Sequence, residues 1–376
     1  MAQYKTLVDK VSIPPNMKTK QKDYESQGTL AIVDQGKKLI GGYTNNAEMA
    51  LQCKLPVIVF GDHTCAVKFV NFPFGAGADG IKVLSPKSGI LPKYLFYGTQ
   101  YLTLRFPDKG YARHYQHIEK MDLPVPSIET QQNIVSSIEE LFSELDKGVE
   151  TLQTIKEQLA VYRQAVLKEA LNGIKGQPYT VKEVCKEIKV GIVIKPSQYY
   201  TDEQVGIKAF RSANVREFHV EDKNWAYLSI AGHQANARSI VHTGDILIVR
   251  SGYPGTACVV PEQFNGCNAI DILIAVPNRD LVLPEFLCAY TNSPLGKKFV
   301  NEKKRGVGQK HFNVSGYSKM LISVPSLDKQ EEIVKKIASR LSVCDSIERT
   351  VNTALAQAEA MRQSILKKAF EGELCK

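Results

Sequence analysis

Three short stretches of this 376-residue chain have the residue types of reactive or ligand-holding sites, and each lacks something its chemistry needs. Gly75-Ala76-Gly77-Ala78-Asp79-Gly80 is a literal G-x-G-x-x-G. Such a loop holds a pyrophosphate only when a helix follows, because the helix N-terminus supplies the N–H groups and the favourable dipole. Here Ile81-Lys82-Val83-Leu84-Ser85-Pro86 follows, which reads as a short strand ended by proline, so nucleotide binding is not expected. Asn71-Phe72-Pro73-Phe74 has the outline of the N-P-P-F loop with which amino-methyltransferases grip a flipped base. Its second position is wrong, and no separate cofactor-binding glycine motif lies upstream. Glu221-Asp222-Lys223 has the E-x-K spacing of a metal-dependent nuclease, but no upstream aspartate is placed for it, and a solvated charged turn is expected instead. The eight cysteines are scattered, with no C-x-x-C and no histidine at metal-ligand spacing, which suits reduced and mostly buried thiols. No P-loop, H-E-x-x-H or G-x-S-x-G occurs. The expectation is a chain without catalytic residues, metal or cofactor, one that recognises rather than cuts or modifies.

The charge distribution suggests what it recognises. The net charge of +9 is uneven along the chain. Residues 1–127 carry 16 Lys/Arg against 10 Asp/Glu, and residues 174–325 carry 19 against 13, an excess of +6 in each. Residues 128–173 carry 4 against 8, and residues 326–376 carry 9 against 8. Two basic blocks separated by acidic or neutral segments suit two contacts with one polyanion. No apolar run reaches membrane-spanning length, and the start MAQYKTLVDK is too polar for a signal peptide, so a soluble cytoplasmic protein is expected.

The two non-basic segments are copies of one another. VPSIETQQNIV (Val125–Val135) recurs as VPSLDKQEEIV (Val324–Val334), 199 residues further on. The same offset carries Asp146 onto Asp345, Arg163-Gln164 onto Arg362-Gln363, Leu167-Lys168 onto Leu366-Lys367, and Gly173 onto Gly372. An internal repeat on this scale governs the architecture. In the first copy, apolar residues recur in steps of three or four at Ile134, Ile138, Leu141, Leu145, Val149, Leu152, Ile155, Leu159, Tyr162, Val166 and Ala170. In the second they fall at Ile333, Ile337, Leu341, Cys344, Ile347, Val351, Ala354, Ala358, Met361, Ile365 and Ala369. That is the stripe of a helix with a coiled-coil seam. Val135, Phe142 and Val149, echoed by Val334 and Leu341, widen it in a way that suits helices from a partner or, equally, cover by the chain's own blocks. Pro-Ser before each helix, an acid in its first turn (Glu129, Asp328) and a closing glycine are helix start and stop signals. Forty-five residues from Ile128 to Asn172 make a helix of about 67 Å. If the two seams pack together, chain order makes the pair antiparallel, with the basic blocks at opposite ends and an approximate two-fold axis between them.

The blocks also resemble each other, more loosely. LPVIVFGDHTCAVKFV (Leu55–Val70) parallels GDILIVRSGYPGTACVV (Gly244–Val260) as strand, polar loop and strand, and ILPKYLFY (Ile90–Tyr97) parallels VLPEFLCAY (Val282–Tyr290) as a proline-started helix. FPFGAGADGIKVL (Phe72–Leu84) parallels FNGCNAIDILIAV (Phe264–Val276). Short β-rich runs mixed with short helices imply α+β domains. The expected division is a recognition domain over 1–127, a long helix over 128–173, a second recognition domain over 174–325 and a second long helix over 326–374.

This pattern resembles the specificity subunit of Type I restriction-modification enzymes, over essentially the full length. The resemblance is carried by the VPS-x-x-x-Q-x-x-I-V starts of both helices, the R-Q-x-[VI]-L-K-x-A run near their ends, and IVDQGKKLIGGYTN (Ile32–Asn45). It implies two target recognition domains, each reading one half of a bipartite double-stranded DNA site. It implies helices that set the spacing and dock two methyltransferase subunits, and restriction/translocase subunits joining through those. The unequal blocks, 127 against 152 residues, suit two different half-sites.

Lys and Arg at phosphates would supply most of the affinity, with Arg, Asn and Gln at base edges discriminating. The candidates in block one are Lys18, Lys20, Lys22, Gln35, Lys37, Lys38, Tyr43, Arg105, Lys109, Arg113 and His114. In block two they are Lys195, Arg211, Ser212, Asn214, Arg216, Arg250, Ser251, Tyr253, Lys303, Lys304, Arg305, Gln309 and Lys310. Any one of these taken alone fits a solvated surface residue better than a base contact; as a set they mark the expected DNA face. A coiled-coil scaffold without DNA specificity would explain the helices but not the two basic blocks. A self-contained methyltransferase or nuclease would bind its own cofactor, and the recognition part of a fused restriction enzyme would sit beside a catalytic partner in the same or a neighbouring gene product.

Overall fold

A computed structural model describes residues 1–105, 112–304 and 312–374 and groups them into two compact units. Unit one is residues 1–153 with 352–376, and unit two is residues 154–351.

In unit one, β1 (Ala2–Gln3) is followed by β2 (Val8–Val11), β3 (Lys18–Thr19), β4 (Leu30–Val33), β5 (Gly42–Thr44), β6 (Val57–Gly61), β7 (Val67–Val70), β8 (Phe74–Gly77) and β9 (Ile81–Pro86). Helices α1 (Pro92–Thr103) and α2 (Tyr115–Ile118), strand β10 (Asp122–Leu123) and the start of α3 (Ile128–Leu171) complete it. One sheet has the order β2-β9-β6-β7, all antiparallel. A second has the order β3-β8-β4-β5, in which β4 lies parallel to β8 and antiparallel to β5. Val57, Ile58, Val59 and Phe60 are all buried, so β6 is covered on both faces, which is why its sequence does not alternate.

Unit two holds β11 (Gln177–Thr180), α4 (Val181–Val184), β12 (Cys185–Val190), β13 (Ile207–Phe210), β14 (Ala226–Leu228), α5 (Ile230–Ala235), β15 (Ile246–Val249), β16 (Ala257–Val259), β17 (Asn268–Ala269) and β18 (Ile272–Pro277). Then come α6 (Pro284–Asn292), α7 (Pro294–Lys304), α8 (Val314–Ser318), β19 (Leu321–Val324) and α9 (Leu327–Glu371). Its first sheet repeats that of unit one, and its second, of three strands against four, repeats all but β3. The order β12-β18-β15-β16 is again antiparallel throughout, and β13 lies parallel to β17 and antiparallel to β14. A two-stranded ribbon precedes each long helix, β1 with β10 and β11 with β19. The duplication therefore reaches strand order, further than the patchy sequence likeness.

Both long helices form where the start and stop signals place them. Ser127 Oγ accepts the Thr130 N–H at 3.2 Å, and Gly173 and Gly372 end the helices with φ of +69° and +81°. The glutamine common to both helix starts has a structural reason. Gln131, fully buried, donates Nε2 to Gly89 O and Pro126 O at 2.9 and 3.0 Å and accepts the Leu91 N–H at 2.9 Å. Gln330, fully buried too, does the same with Leu281 O, Pro325 O and the Leu283 N–H at 2.9, 2.9 and 2.8 Å. Each ties the first turn of a long helix to the loop before α1 or α6. Gln330→Ala strands three backbone groups in a dry site, which costs about 3 kcal/mol of unit-two stability by denaturant titration. Gln330→Glu keeps the size but loses both donations and is expected to rescue little.

Each long helix starts in one core and ends in the other. Ile134, Val135, Ile138 and Phe142 of α3 lie in the unit-one core, while Val166, Leu167 and Leu171 lie in the unit-two core. Ile333, Ile337 and Leu341 of α9 join the unit-two core, and Leu366, Ala369 and Phe370 that of unit one. Within each unit the helix segments run antiparallel. In unit two, Arg163 Nη2 donates to Asp345 and Glu348 at 2.7 and 2.9 Å, and Glu169 accepts from Arg340 at 2.6 Å and Lys336 at 3.3 Å. In unit one, Arg362 pairs with Asp146 and lies over the Phe142 ring. Arg163 with Asp345 and Arg362 with Asp146 are one contact used twice, since the 199-residue offset exchanges them. Arg163→Glu sets three carboxylates together and is expected to cost about 1–2 kcal/mol, with Asp345→Arg restoring part of it in a double-mutant cycle.

The seam differs from the expected stripe at four positions. Leu141, Tyr162, Ile347 and Met361 are exposed, while Phe142 and Leu366, outside the stripe, are buried alongside its members Cys344, Val351 and Ala358. A straight helix drifts about 20° per heptad against a repeating stripe, so over 44 residues no single stripe stays inward. Leu145, Val149, Leu152, Ile155, Val334 and Ile365 are half-buried, and Leu159 is buried. Cys258, Cys288 and Cys344 are buried, and burial pushes the Cys258 thiol up to about 12. No helix among the described residues is long and apolar enough to cross a membrane.

Candidate nucleic-acid interface

In unit one, three loops meet at one end of the sheets. The loop after β4 is fixed from below by Lys68, which is 4% exposed and donates Nζ to Asp34 O at 2.7 Å and to Asp34 Oδ1 at 3.3 Å. Burial lowers the Lys68 pKa, and the Asp34 carboxylate opposes that shift. Asp34 Oδ1 also accepts the Gly36 N–H at 2.9 Å, the side-chain-to-backbone turn that aspartate favours. This loop carries Gln35, with Lys37 and Lys38 exposed beyond it.

The β6–β7 turn packs beside it, Thr64 Oγ1 donating to Gln35 O and His63 Nδ1 lying 3.0 Å from Ala112 O. The β8–β9 turn closes the group. Gly80, at φ +81°, has no room for a Cβ, which would meet Gln35 Oε1 and His63 Cδ2 at 2.9 Å each. Asp62 N donates to Gly80 O at 2.6 Å, and Asp62 Oδ1 accepts the Tyr115 N–H at 2.9 Å. The G-x-G-x-x-G therefore serves as a strand and a tight turn, as its lack of a following helix suggests.

These contacts bring Gln35, Lys37, Lys38 and Arg113 to one edge, with Lys18 beside Asp79 of the β8–β9 turn at 3.8 Å. Lys20 and Lys22 are exposed on the segment after β3, and Tyr43 is half-buried on β5. Arg105 lies elsewhere, its guanidinium 5.6 Å from the centre of the Tyr101 ring, which itself stacks on Phe370. His114 does not belong on a binding face. It is 1% exposed, and its N–H is bonded to Asp62 O at 2.8 Å, so it holds the turn rather than meeting a ligand.

Unit two presents the corresponding pair of loops. The segment after β13, the counterpart of β4, carries Arg211, Ser212, Asn214 and Arg216. The β15–β16 turn, the counterpart of β6–β7, carries Arg250, Ser251 and Tyr253. Together they enclose a cleft of about 560 Å³ whose lining includes Ser212, Arg216, Ser251, Tyr253 and Thr256. Four candidates far apart in sequence thus share one surface.

Asn214 and Arg250 are corrected in role. Asn214 is fully buried, accepts the Arg211 N–H at 2.9 Å and donates Nδ2 to Glu221 O and Lys223 O at 3.2 and 2.8 Å, so its side chain shapes the loop. Arg250 is spent on Phe312 O at 3.2 Å and Asp271 Oδ1 at 2.5 Å, with its side chain only 14% exposed. Arg211 donates Nη2 to Asn224 O. Lys195 is exposed after β12 and does not line the cleft. Lys303 and Lys304 end α7, and Lys109, Arg305, Gln309 and Lys310 lie outside the described residues.

The sequence reading missed His63, Thr64 and Thr256, which share these edges. The signal was present: each lies in a short polar run between two apolar strands, but only Arg250, Ser251 and Tyr253 were drawn from the second run and none from the first. Among the described residues no cluster of three or more His, Cys, Asp or Glu is arranged to hold a metal.

Residues 177–357 match the family model described as Type I restriction modification DNA specificity domain. The chain is 27% identical over 278 residues to the Type I restriction enzyme EcoBI specificity subunit of Escherichia coli, covering 67% of this chain and 58% of that one. It is also 27% identical over 275 residues to the EcoKI specificity subunit of Escherichia coli strain K12, covering 68% and 58%. The aligned part thus spans 58% of the length of these two relatives. A solved chain from a structural study of complex assembly and conformational transition in the type I R-M system is similar in fold. It aligns with a TM-score of 0.65 at 17% identity, over 99% of this chain and 97% of that one.

Proposed function

We propose that this chain is a specificity subunit of the Type I restriction-modification kind and reads an asymmetric two-part site in double-stranded DNA, one half with each unit. The observation that carries the reading is the duplicated loop pair. The segment after β4 or β13 and the turn β6–β7 or β15–β16 converge in both units, on the same strand topology, and both edges carry cations and hydrogen-bonding side chains. Equal topology with unequal loop residues suits two different base sequences read by two copies of one scaffold. Phosphate contacts from Lys37, Lys38, Arg113 and Arg216 would position the DNA, and Gln35, Ser212 and Ser251 would face base edges.

The chain performs no chemistry of its own on this reading. Its long helices dock two methyltransferase subunits through exposed apolar residues such as Leu141, Tyr162, Ile347 and Met361. Restriction and translocation subunits join through those, in the cytoplasm. Half-sites on one face of B-DNA lie roughly 34 Å apart per turn, which helices of 44 and 45 residues are long enough to bridge.

The test is selection from a random duplex library by the full chain assembled with its methyltransferase. Two short specified blocks separated by a constant unspecified gap are expected. A single unbroken block, or binding without enrichment, would overturn the reading.

A further inference from the structure

Lys68 lies on β7 and is buried, and taking an ammonium out of water is costly unless it gains strong partners. The duplicated fold shows that the scaffold does not need this charge. Lys68 stands opposite Val59 on β6, and Val59 stands opposite Val83 on β9. The equivalent place in unit two is Cys258, opposite Leu247 on β15, which stands opposite Ile274 on β18. Cys258 is fully buried in an apolar cluster with Phe210, Val249, Ile272 and Ile274. One copy of the scaffold thus fills this position with a small apolar group, so the use of the lysine in the other lies in what it holds.

It holds the first residue of the loop after β4. Lys68 Nζ donates to the Asp34 carbonyl and carboxylate, and that carboxylate accepts the Gly36 N–H. Gly41 and Gly77 leave no room for a Cβ against Asp34, so the aspartate is hemmed in from two further segments. Gln35 stands between Asp34 and Gly36, and its own carbonyl accepts from Thr64 Oγ1. The backbone around Gln35 is therefore fixed on both sides, whereas its amide is not: Oε1 is buried and accepts no hydrogen bond from the described residues. A buried acceptor left open is costly in the free protein. By turning about its side-chain torsions the amide can reach a base edge, where its donor and acceptor match those of adenine.

We propose that Lys68 is a positioning residue for base reading in unit one: it fixes the loop that presents Gln35, and the sequence preference of that half-site depends on it although it touches no DNA. The inference rests on the DNA-reading function above and adds a specificity determinant beneath the interface. Unit two holds its matching loop without a buried ion pair at this position, through the Asn214 amide and its bonds to the Arg211 N–H, Glu221 O and Lys223 O.

The test uses the full chain with its methyltransferase, on duplexes of the selected site and on duplexes with either half randomised. Lys68→Met is combined with Asp34→Asn, which removes both charges together, strands neither, and keeps an acceptor for the Gly36 N–H. This charge-free variant is expected to fold and to bind the selected site about tenfold to a hundredfold more weakly, the range for losing one amide–base contact. Binding to unrelated duplex and the slope of log affinity against log salt should stay as in wild type, since no phosphate contact is lost. Preference should relax only in the half that Gln35→Ala relaxes. Adding Gln35→Ala to the charge-free variant should cost no more than Gln35→Ala alone, whereas a lysine serving only the core would give additive losses. Wild-type affinity, equal relaxation of both halves, additive losses, or failure of the charge-free variant to fold overturns this inference and leaves the functional reading standing. Absence of sequence-specific binding by wild type overturns both.

Discussion

Phe370→Ala is expected to destabilise the N-terminal unit by about 3–5 kcal/mol, although the residue lies six positions before Lys376. Phe370 is 5% exposed, stacks on Tyr101 with ring centres 5.3 Å apart and 14° between planes, and meets Tyr94 at 5.1 Å. Gly98 of α1 faces the same ring, leaving no space for a larger residue. Truncation opens a cavity among aromatic side chains that a helix end cannot collapse to fill. Denaturant titration measures the loss. Hydrogen exchange locates it, with protection falling in α1 and unchanged across β15 and β18. A loss under 1 kcal/mol, or one spread evenly over both units, contradicts the placement of the last turns of α9.

The second large effect concerns binding. Replacing Lys37, Lys38 and Arg113 together by alanine is expected to lower affinity for DNA on the order of a hundredfold at 0.1 M salt, about equally for cognate and unrelated duplexes. The slope of log affinity against log salt should shrink by about three, one per lost phosphate contact. All three side chains are exposed, so the fold should survive. Gln35→Ala is the contrasting variant, expected to leave the slope alone and relax preference within one half-site. An unchanged slope in the triple variant would remove this edge from the interface.

Much of this architecture is legible in the residues because it is local. The steps of three and four from Ile134 to Ala170, the Pro-Ser start and Gly173 fix α3 without tertiary information, and the 199-residue repeat fixes α9 with it. Buried strands such as Ile246–Val249 are legible as short apolar runs. What is not legible depends on partners distant in sequence. Nothing near Gln131 shows that its amide will close over Gly89 and Pro126, so the glutamine repeated in both helix starts marks the duplication without disclosing its use.

The candidate interface divides in the same way. Lys37, Lys38 and Arg216 are exposed charges in loops, where residue type alone is informative. Asn214, Arg250 and His114 have the same types but are consumed in holding loops, which only burial and hydrogen bonds distinguish. The seam shows a third case: Leu141 and Met361 obey the stripe yet face outward, because the globular cores capture different helix faces at each end.

The central claim is that two like units read two different halves of one site. Mapping methylated adenines across the genome of cells carrying the wild-type chain, and of cells in which Ser212, Arg216 and Ser251 are replaced together, tests it most directly. The account predicts a two-part motif with a constant gap in the first case, and in the second a motif degraded in one part and intact in the other. A continuous motif, or loss of both parts together, would contradict it.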